Sequence, residues 1–310
     1  MQIKTTGYLA AWRAGFLAIA VNLILSYGVN LLNISNMHTS SMIYSIAYTI
    51  FAICLVLFAS RKNLSAELYD MGFKGFIPIF IPFFIIAPIA AQFFCSMFTL
   101  PVNVISTMLL GAETKEQMMI PHGTAEFITA FGYMCILAPI SEEIIFRGVI
   151  YKYLEKHSTL TAIFSSAVMF SMAHLDLRSL VPIFFIGLVL SLIRFATGSL
   201  WATIIAHSAV NLFSLLTMYT TSTAAVSAKT VGILFILFPI CIALFLKFMP
   251  KKKLYTSGQR KSVSVYMILT IVLFVVFQLI LISNNYFTQY SHRGDEYFQR
   301  YFEKQFGNFD

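Results

Sequence analysis

The sequence predicts an all-α fold, a polytopic transmembrane helix bundle of about nine spans (eight to nine), and three observations predict it. Of 310 residues, 58% are hydrophobic and only 11% are charged, against roughly a quarter charged in an average soluble domain. Apolar runs near the ~20 residues needed to cross a hydrocarbon core recur along nearly the whole chain. The formal net charge of +8 does not point to nucleic acid, because the basic residues cluster in short loops between apolar runs, as the positive-inside rule requires. No repeat, low-complexity tract or second domain is visible, so residues 1–310 read as a single membrane domain.

The first span covers about 14–32, behind Lys4 and Arg13. With no small-residue cleavage site it reads as a retained helix and not as a signal peptide. The second covers about 41–60, and Arg61, Lys62 and Lys74 bracket the loop after it. In that loop Leu64, Leu68 and Met71 recur at helical spacing and predict a short surface-lying helix. The third span, about 76–98, carries Pro78, Pro82 and Pro88, which predict a kinked helix whose freed carbonyls find partners on its neighbours. A polar loop at about 99–123 precedes the fourth span at about 125–157. The fifth covers about 159–174, the sixth 180–196 and the seventh 199–218.

The eighth span, about 231–249, and the ninth, about 263–283, flank the densest basic loop, with Lys251, Lys252, Lys253, Arg260 and Lys261. Beyond residue 284, Phe298, Tyr301, Phe302, Gln305 and Phe309 recur near helical spacing among charges, which predicts an interfacial aromatic helix. The chain thus divides into 1–124 with spans one to three, a core at 125–218 with spans four to seven, 219–283 with spans eight and nine, and an extracytoplasmic tail at 284–310. Counting Lys and Arg loop by loop places the N-terminus in the cytoplasm and the C-terminus outside. Cys54, Cys95, Cys135 and Cys241 fall in four different apolar segments and read as buried, inert thiols.

Chemistry concentrates at Ser141 to Gly148, S-E-E-I-I-F-R-G. Charges inside an apolar run are costly unless they are paired or functional. Glu143 and Arg147 are four apart, in the order that favours an ion pair. Glu142 points about 100° away around the helix and has no local partner, which makes it a candidate general base. Read alone, the cluster fits a solvated helix end equally well. Pro139 adds a kink on either reading.

Two further pairs share a helical face, Phe170 with His174 and His207 with Asn211. A lone His in a membrane helix is more often a hydrogen-bond donor between helices; two of them with Asn211 and a carboxylate pair call for a common explanation. At about 1.5 Å per residue, Glu142 and His174 each lie about 22 Å along their spans from the 157/159 junction, and His207 and Asn211 about 12 and 18 Å from Ser199. These depths overlap, which allows the four helices to enclose one polar cavity.

Together, E-E-x-x-x-R at Glu142, Glu143 and Arg147, F-x-x-x-H at Phe170 and His174, and H-x-x-x-N at His207 and Asn211 resemble the three signature motifs of the CPBP or Abi intramembrane proteases. That family includes CAAX prenyl endopeptidases of the Rce1 type and bacterial bacteriocin-processing or self-immunity proteins. T-G-S-L-W at Thr197 to Trp201 is also typical of its bacterial members. The motifs span Glu142 to Asn211; the rest of the chain is covered by general hydropathy alone. The resemblance implies an integral protein of a bacterial plasma membrane, with membrane lipid and a membrane-associated peptide or protein substrate as partners.

Hydrolysis of a peptide inside a membrane needs an activated water, an oxyanion stabiliser and a proton for the leaving amine. Glu142 is assigned as base with His174 holding the water, His207 and Asn211 as the oxyanion pair, and Glu143 with Arg147 as orienting groups; the resemblance also permits a more direct role for Glu143. No acyl-enzyme nucleophile is implied, because no cysteine falls in a motif and no serine belongs to a recognisable triad. Metal use is open. Glu142, His174 and His207 are ligand types of a catalytic zinc, whereas the missing H-E-x-x-H and the adjacent arginine tilt slightly toward a metal-free reaction. Two other classes stand beside the protease, a non-enzymatic immunity or regulatory protein on the same fold and an ion- or proton-coupled transporter. Intact motifs weigh against the first, and the lack of repeat halves against the second.

Overall fold

The computed structural model describes residues 2–60, 63–92, 94–95, 120–177, 179–220 and 266–280, with four isolated helical positions between 236 and 247. Among the described residues every regular element is a helix: α1 (Gln2–Leu31), α2 (Met37–Ala59), α3 (Leu64–Met71), α4 (Pro78–Gln92), α5 (Thr124–Glu155), α6 (Thr159–Ala173), α7 (Leu180–Thr197), α8 (Leu200–Thr220) and α9 (Tyr266–Ile280). Helices α1, α2, α5, α7 and α8 contain apolar stretches long enough to cross a membrane; α4, α6 and α9 are apolar but shorter. Ile24, Ile50, Phe58, Ile79 and Ile128 point outward, as lipid-facing side chains do. The eighth span apart from the isolated positions, the loop at 251–261, Cys241 and the aromatic tail lie outside the described residues, as does most of the polar loop before α5.

Several elements depart from the expected bounds for local reasons. Helix α1 begins at Gln2, not near residue 14, because nothing in Q-I-K-T-T-G-Y-L-A-A breaks a helix firmly enough to delay it. Pro78 opens α4 with a single 3-10 turn, a first-turn position where a missing N–H costs nothing. The surface helix α3 is capped at both ends. Asn63 Oδ1 accepts from Ala66 N–H, and Gly72 takes a left-handed φ of 97° while Phe73 N–H reaches Leu68 O. A Cβ on residue 72 would lie 2.8 Å from Gly198 O, so only glycine fits where the α3 turn touches the start of α8.

In place of the simple kink expected at Pro139, α5 contains two wide π stretches, Phe131–Leu137 and Ile144–Ile150, on either side of Ala138–Glu143. Each rotates the facing of the helix beyond it and leaves carbonyls that need other donors. Helices α6 and α7 form a close antiparallel pair. Gly187 permits the approach, since a Cβ there would stand 3.2 Å from Ala167 Cα and 3.1 Å from the Phe170 ring. Ser166 and Ser191 hydroxyls meet across the same seam at 3.0 Å, the small-residue packing that membrane helices favour. Helix α1 packs against the C-terminal half of α5, α2 runs along much of α5, and α8 packs mainly against the N-terminal half of α5 and against α7.

Candidate active site

The motif residues occupy facing positions on α5, α6 and α8, with α7 closing one side. Glu143 and Arg147 are fully buried. Arg147 Nη1 donates to Glu143 Oε1 at 3.0 Å and Nη2 donates to Gly187 O at 3.0 Å. The guanidinium also lies over the Phe170 ring, with Cζ 4.2 Å from its centroid. One planar cation thus joins three helices, which a lysine cannot do with a single ammonium point.

His207 links the two carboxylates. Its Nδ1–H donates to Glu143 Oε1 at 3.0 Å, while Nε2 stands 3.8 Å from Glu142 Oε2. The second distance is too long for a direct hydrogen bond. Glu142 Oε2 is buried with no hydrogen-bond partner, so an oxygen between Glu142 and His207 would satisfy both. Glu142, Glu143, Arg147 and His207 together are neutral when one proton is shared between Glu142 and His207 Nε2, which keeps net charge out of a low-dielectric interior.

Phe170 is the hub of this arrangement. Its ring meets His207 edge-to-face at 5.6 Å and His174 at 4.9 Å between centroids. His174 sits one residue past the end of α6 and is exposed. Its Nδ1 is 2.8 Å from Phe170 O. A carbonyl only accepts, so Nδ1 bears a proton and Nε2 is the nitrogen left to face another partner.

Asn211 is placed differently from its expected pairing with His207. Its Nδ2 donates to Met134 O at 2.8 Å. The reason lies in α5. Ala138 N–H reaches back five residues to Tyr133 O, and the same register would assign Met134 O to the N–H of residue 139. That residue is proline and has none. Asn211 therefore supplies the donor that the wide turn lacks.

Glu142, Glu143, Arg147 and His207 are thus brought together directly, His174 joins them through Phe170, and Asn211 binds the backbone of α5. Three further groups complete the surroundings. Gly187 O anchors Arg147. Arg194, itself buried, donates to Arg147 O at 3.3 Å and to Met71 O at 3.0 Å. Lys152 pairs with Glu67 of α3 at 2.8 Å. The signal for Arg194 was a lone arginine inside an apolar span; a glycine's carbonyl leaves no sequence signal. T-G-S-L-W docks this region onto α3, with Leu200 N–H donating to Gly72 O at 2.6 Å and Trp201 packed edge-on against Phe73.

Glu142, His174 and His207 have the chemistry of zinc ligands. Among the described residues, however, no three His, Cys, Asp or Glu side chains close into a metal-holding group. His207 Nδ1 is taken by Glu143, and Arg147 adds a cation to the same cluster. The donors as arranged do not fit a metal ion. Residues 124–213, which hold all three motifs, match the family described as type II CAAX prenyl endopeptidase Rce1-like. No curated protein and no solved structure matches the chain.

Proposed function

We propose that this chain, Rce1-like over residues 124–213, is an intramembrane endopeptidase that hydrolyses a peptide bond of a membrane-associated substrate with a water activated by its own side chains. The observation that carries this reading is the placement of His207 between two carboxylates, beside a buried Glu142 oxygen that has no partner.

On this reading each residue takes one role. Water sits between Glu142 and the Nε2 lone pair of His174. Its oxygen attacks the scissile carbonyl carbon as its proton passes to Glu142. The developing oxyanion takes a hydrogen bond from His207 Nε2–H, and Glu143 holds the opposite nitrogen, fixing ring and charge. Glu142 then delivers its proton to the amide nitrogen, the C–N bond breaks, and a carboxylate and an amine leave. Arg147 does not touch substrate; it pairs with Glu143 and keeps it aligned. Asn211 acts by holding the α5 backbone, so the oxyanion role rests on His207. Residues 125–218 form the catalytic core, in a membrane orientation with the N-terminus cytoplasmic.

The test is cleavage of a panel of peptides, with and without a C-terminal prenyl group, by purified protein in detergent, comparing wild type with Glu142→Ala and His174→Ala. Loss of cleavage in both variants is expected, with wild-type activity unaffected by a chelator and not raised by zinc. Variants that cleave as fast as wild type overturn the assignment.

A further inference from the structure

Helix α6 is short for a membrane. Its 15 residues span about 22 Å at 1.5 Å each, against a hydrocarbon core of about 30 Å. Where a helix stops, its last four carbonyls have no i+4 donors of their own, so each needs another partner. His174 is the residue at that stop, and its geometry depends on how the end is satisfied.

All four carbonyls have partners. Phe170 O accepts from His174 Nδ1–H, Ser171 O from His174 N–H at 3.3 Å, and Met172 O from Leu175 N–H at 3.1 Å. The fourth, Ala173 O, accepts from the side-chain amide of Asn22 on α1. The chain then turns through Leu175 in a left-handed conformation, φ 57°, uncommon for a bulky residue. Leu175 O accepts from Gln278 Nε2 of α9 at 2.9 Å. The two groups that the local backbone leaves open are thus met by amides from outside residues 124–213.

The Asn22 amide is itself fixed. Its oxygen accepts from Tyr44 O–H of α2 at 2.6 Å and from Ser26 O–H at 3.2 Å, so only its nitrogen is left to face Ala173 O. Helix α2, which carries Tyr44, packs against the Ala138–Glu143 stretch of α5, which puts this chain of donors beside the element that bears the carboxylates.

We infer that Asn22, oriented by Tyr44, and Gln278 are positioning residues for His174, completing the catalytic site from the first, second and last described helices. This rests on the endopeptidase reading for its effect on turnover, but not for its effect on the His174 ring. An amide-to-carboxylate change removes the donor and keeps the shape. Asn22→Asp therefore leaves Ala173 O without its partner, the end of α6 frays, and the Nδ1–H bond to Phe170 O that fixes the His174 tautomer loosens. A displacement of about 1 Å at a reacting group costs about a hundredfold in rate.

The experiment uses full-length protein carrying nitrogen-15-labelled histidine in detergent micelles, with the His174 signal assigned by its loss in His174→Gln, alongside cleavage kinetics and thermal melting. Wild type is expected to show the Nδ1–H tautomer. In Asn22→Asp that signal shifts to a tautomer mixture while kcat falls about ten- to a hundredfold and KM stays within about twofold. Tyr44→Phe gives the same change in weaker form. Gln278→Glu acts through a separate helix and supplies a second donor-loss variant if Asn22→Asp does not fold. A His174 signal unchanged in these variants overturns the proposal, as does a shifted signal with unchanged kcat in a wild type that cleaves. A shifted signal in a protein whose wild type cleaves nothing supports the positioning and rejects the protease.

Discussion

Glu143 and Arg147 form a fully buried pair, and a double-substitution cycle measures what that pair does. Glu143→Gln preserves side-chain volume but removes the charge opposite the guanidinium. Glu143 Oε1 accepts from both Arg147 Nη1 and His207 Nδ1, each at 3.0 Å. Removing one partner of a buried pair costs about 3–5 kcal/mol, because the other charge is left uncompensated. A Gln carbonyl still accepts, which places this variant near the lower end, about 3 kcal/mol. Arg147→Met leaves a buried carboxylate facing His207 without its cation, empties the face of Phe170 and removes the bond to Gly187 O; about 4 kcal/mol is expected. With both substitutions no orphan charge remains, so the double variant should lose about 2–3 kcal/mol less than the sum of the singles. Denaturant unfolding of the purified proteins in detergent, followed by the fluorescence of Trp12 and Trp201, gives the three differences. Strict additivity would refute the claim that Glu143 and Arg147 act as one unit.

Two other substitutions probe the supporting structure. Asn211→Leu should destabilise by about 1–3 kcal/mol through the lost donor to Met134 O, and by clearly less in a Pro139→Ala background, where a backbone N–H is restored; equal losses in both backgrounds would separate Asn211 from the wide turn. Arg194→Leu removes the donors that tie Met71 O and Arg147 O together, and amide hydrogen exchange over residues 64–74 should rise severalfold while exchange in α2 is unchanged.

The order and membrane character of the helices were legible because apolar runs near bilayer length carry the signal by themselves. Spacing also exposed the Glu143–Arg147 pair, since i and i+4 meet on any helix. What hydropathy does not encode is the register inside an all-apolar helix. Nothing in F-G-Y-M-C-I-L distinguishes a π stretch from an α stretch except the nearby proline, and its consequence falls on Asn211, some seventy residues away. The meeting of His207 with both carboxylates depends on that same register. Helix α6 read as a full span from its apolar content, although its length falls short of one. Asn22 carried no distinguishing signal, since α1 also holds Gln2 and Asn30 and an amide in an apolar helix does not name its partner.

The proposed reaction turns on Glu142 as the base. This residue is partly exposed and makes no close hydrogen bond through Oε2, so Glu142→Gln should fold with wild-type stability. The deciding measurement is kcat of Glu142→Gln against wild type on any cleaved peptide, with the melting temperature recorded on the same samples. A loss of about a hundred- to ten-thousandfold is expected, with the melting temperature unchanged. A folded Glu142→Gln protein that turns over at the wild-type rate would contradict it.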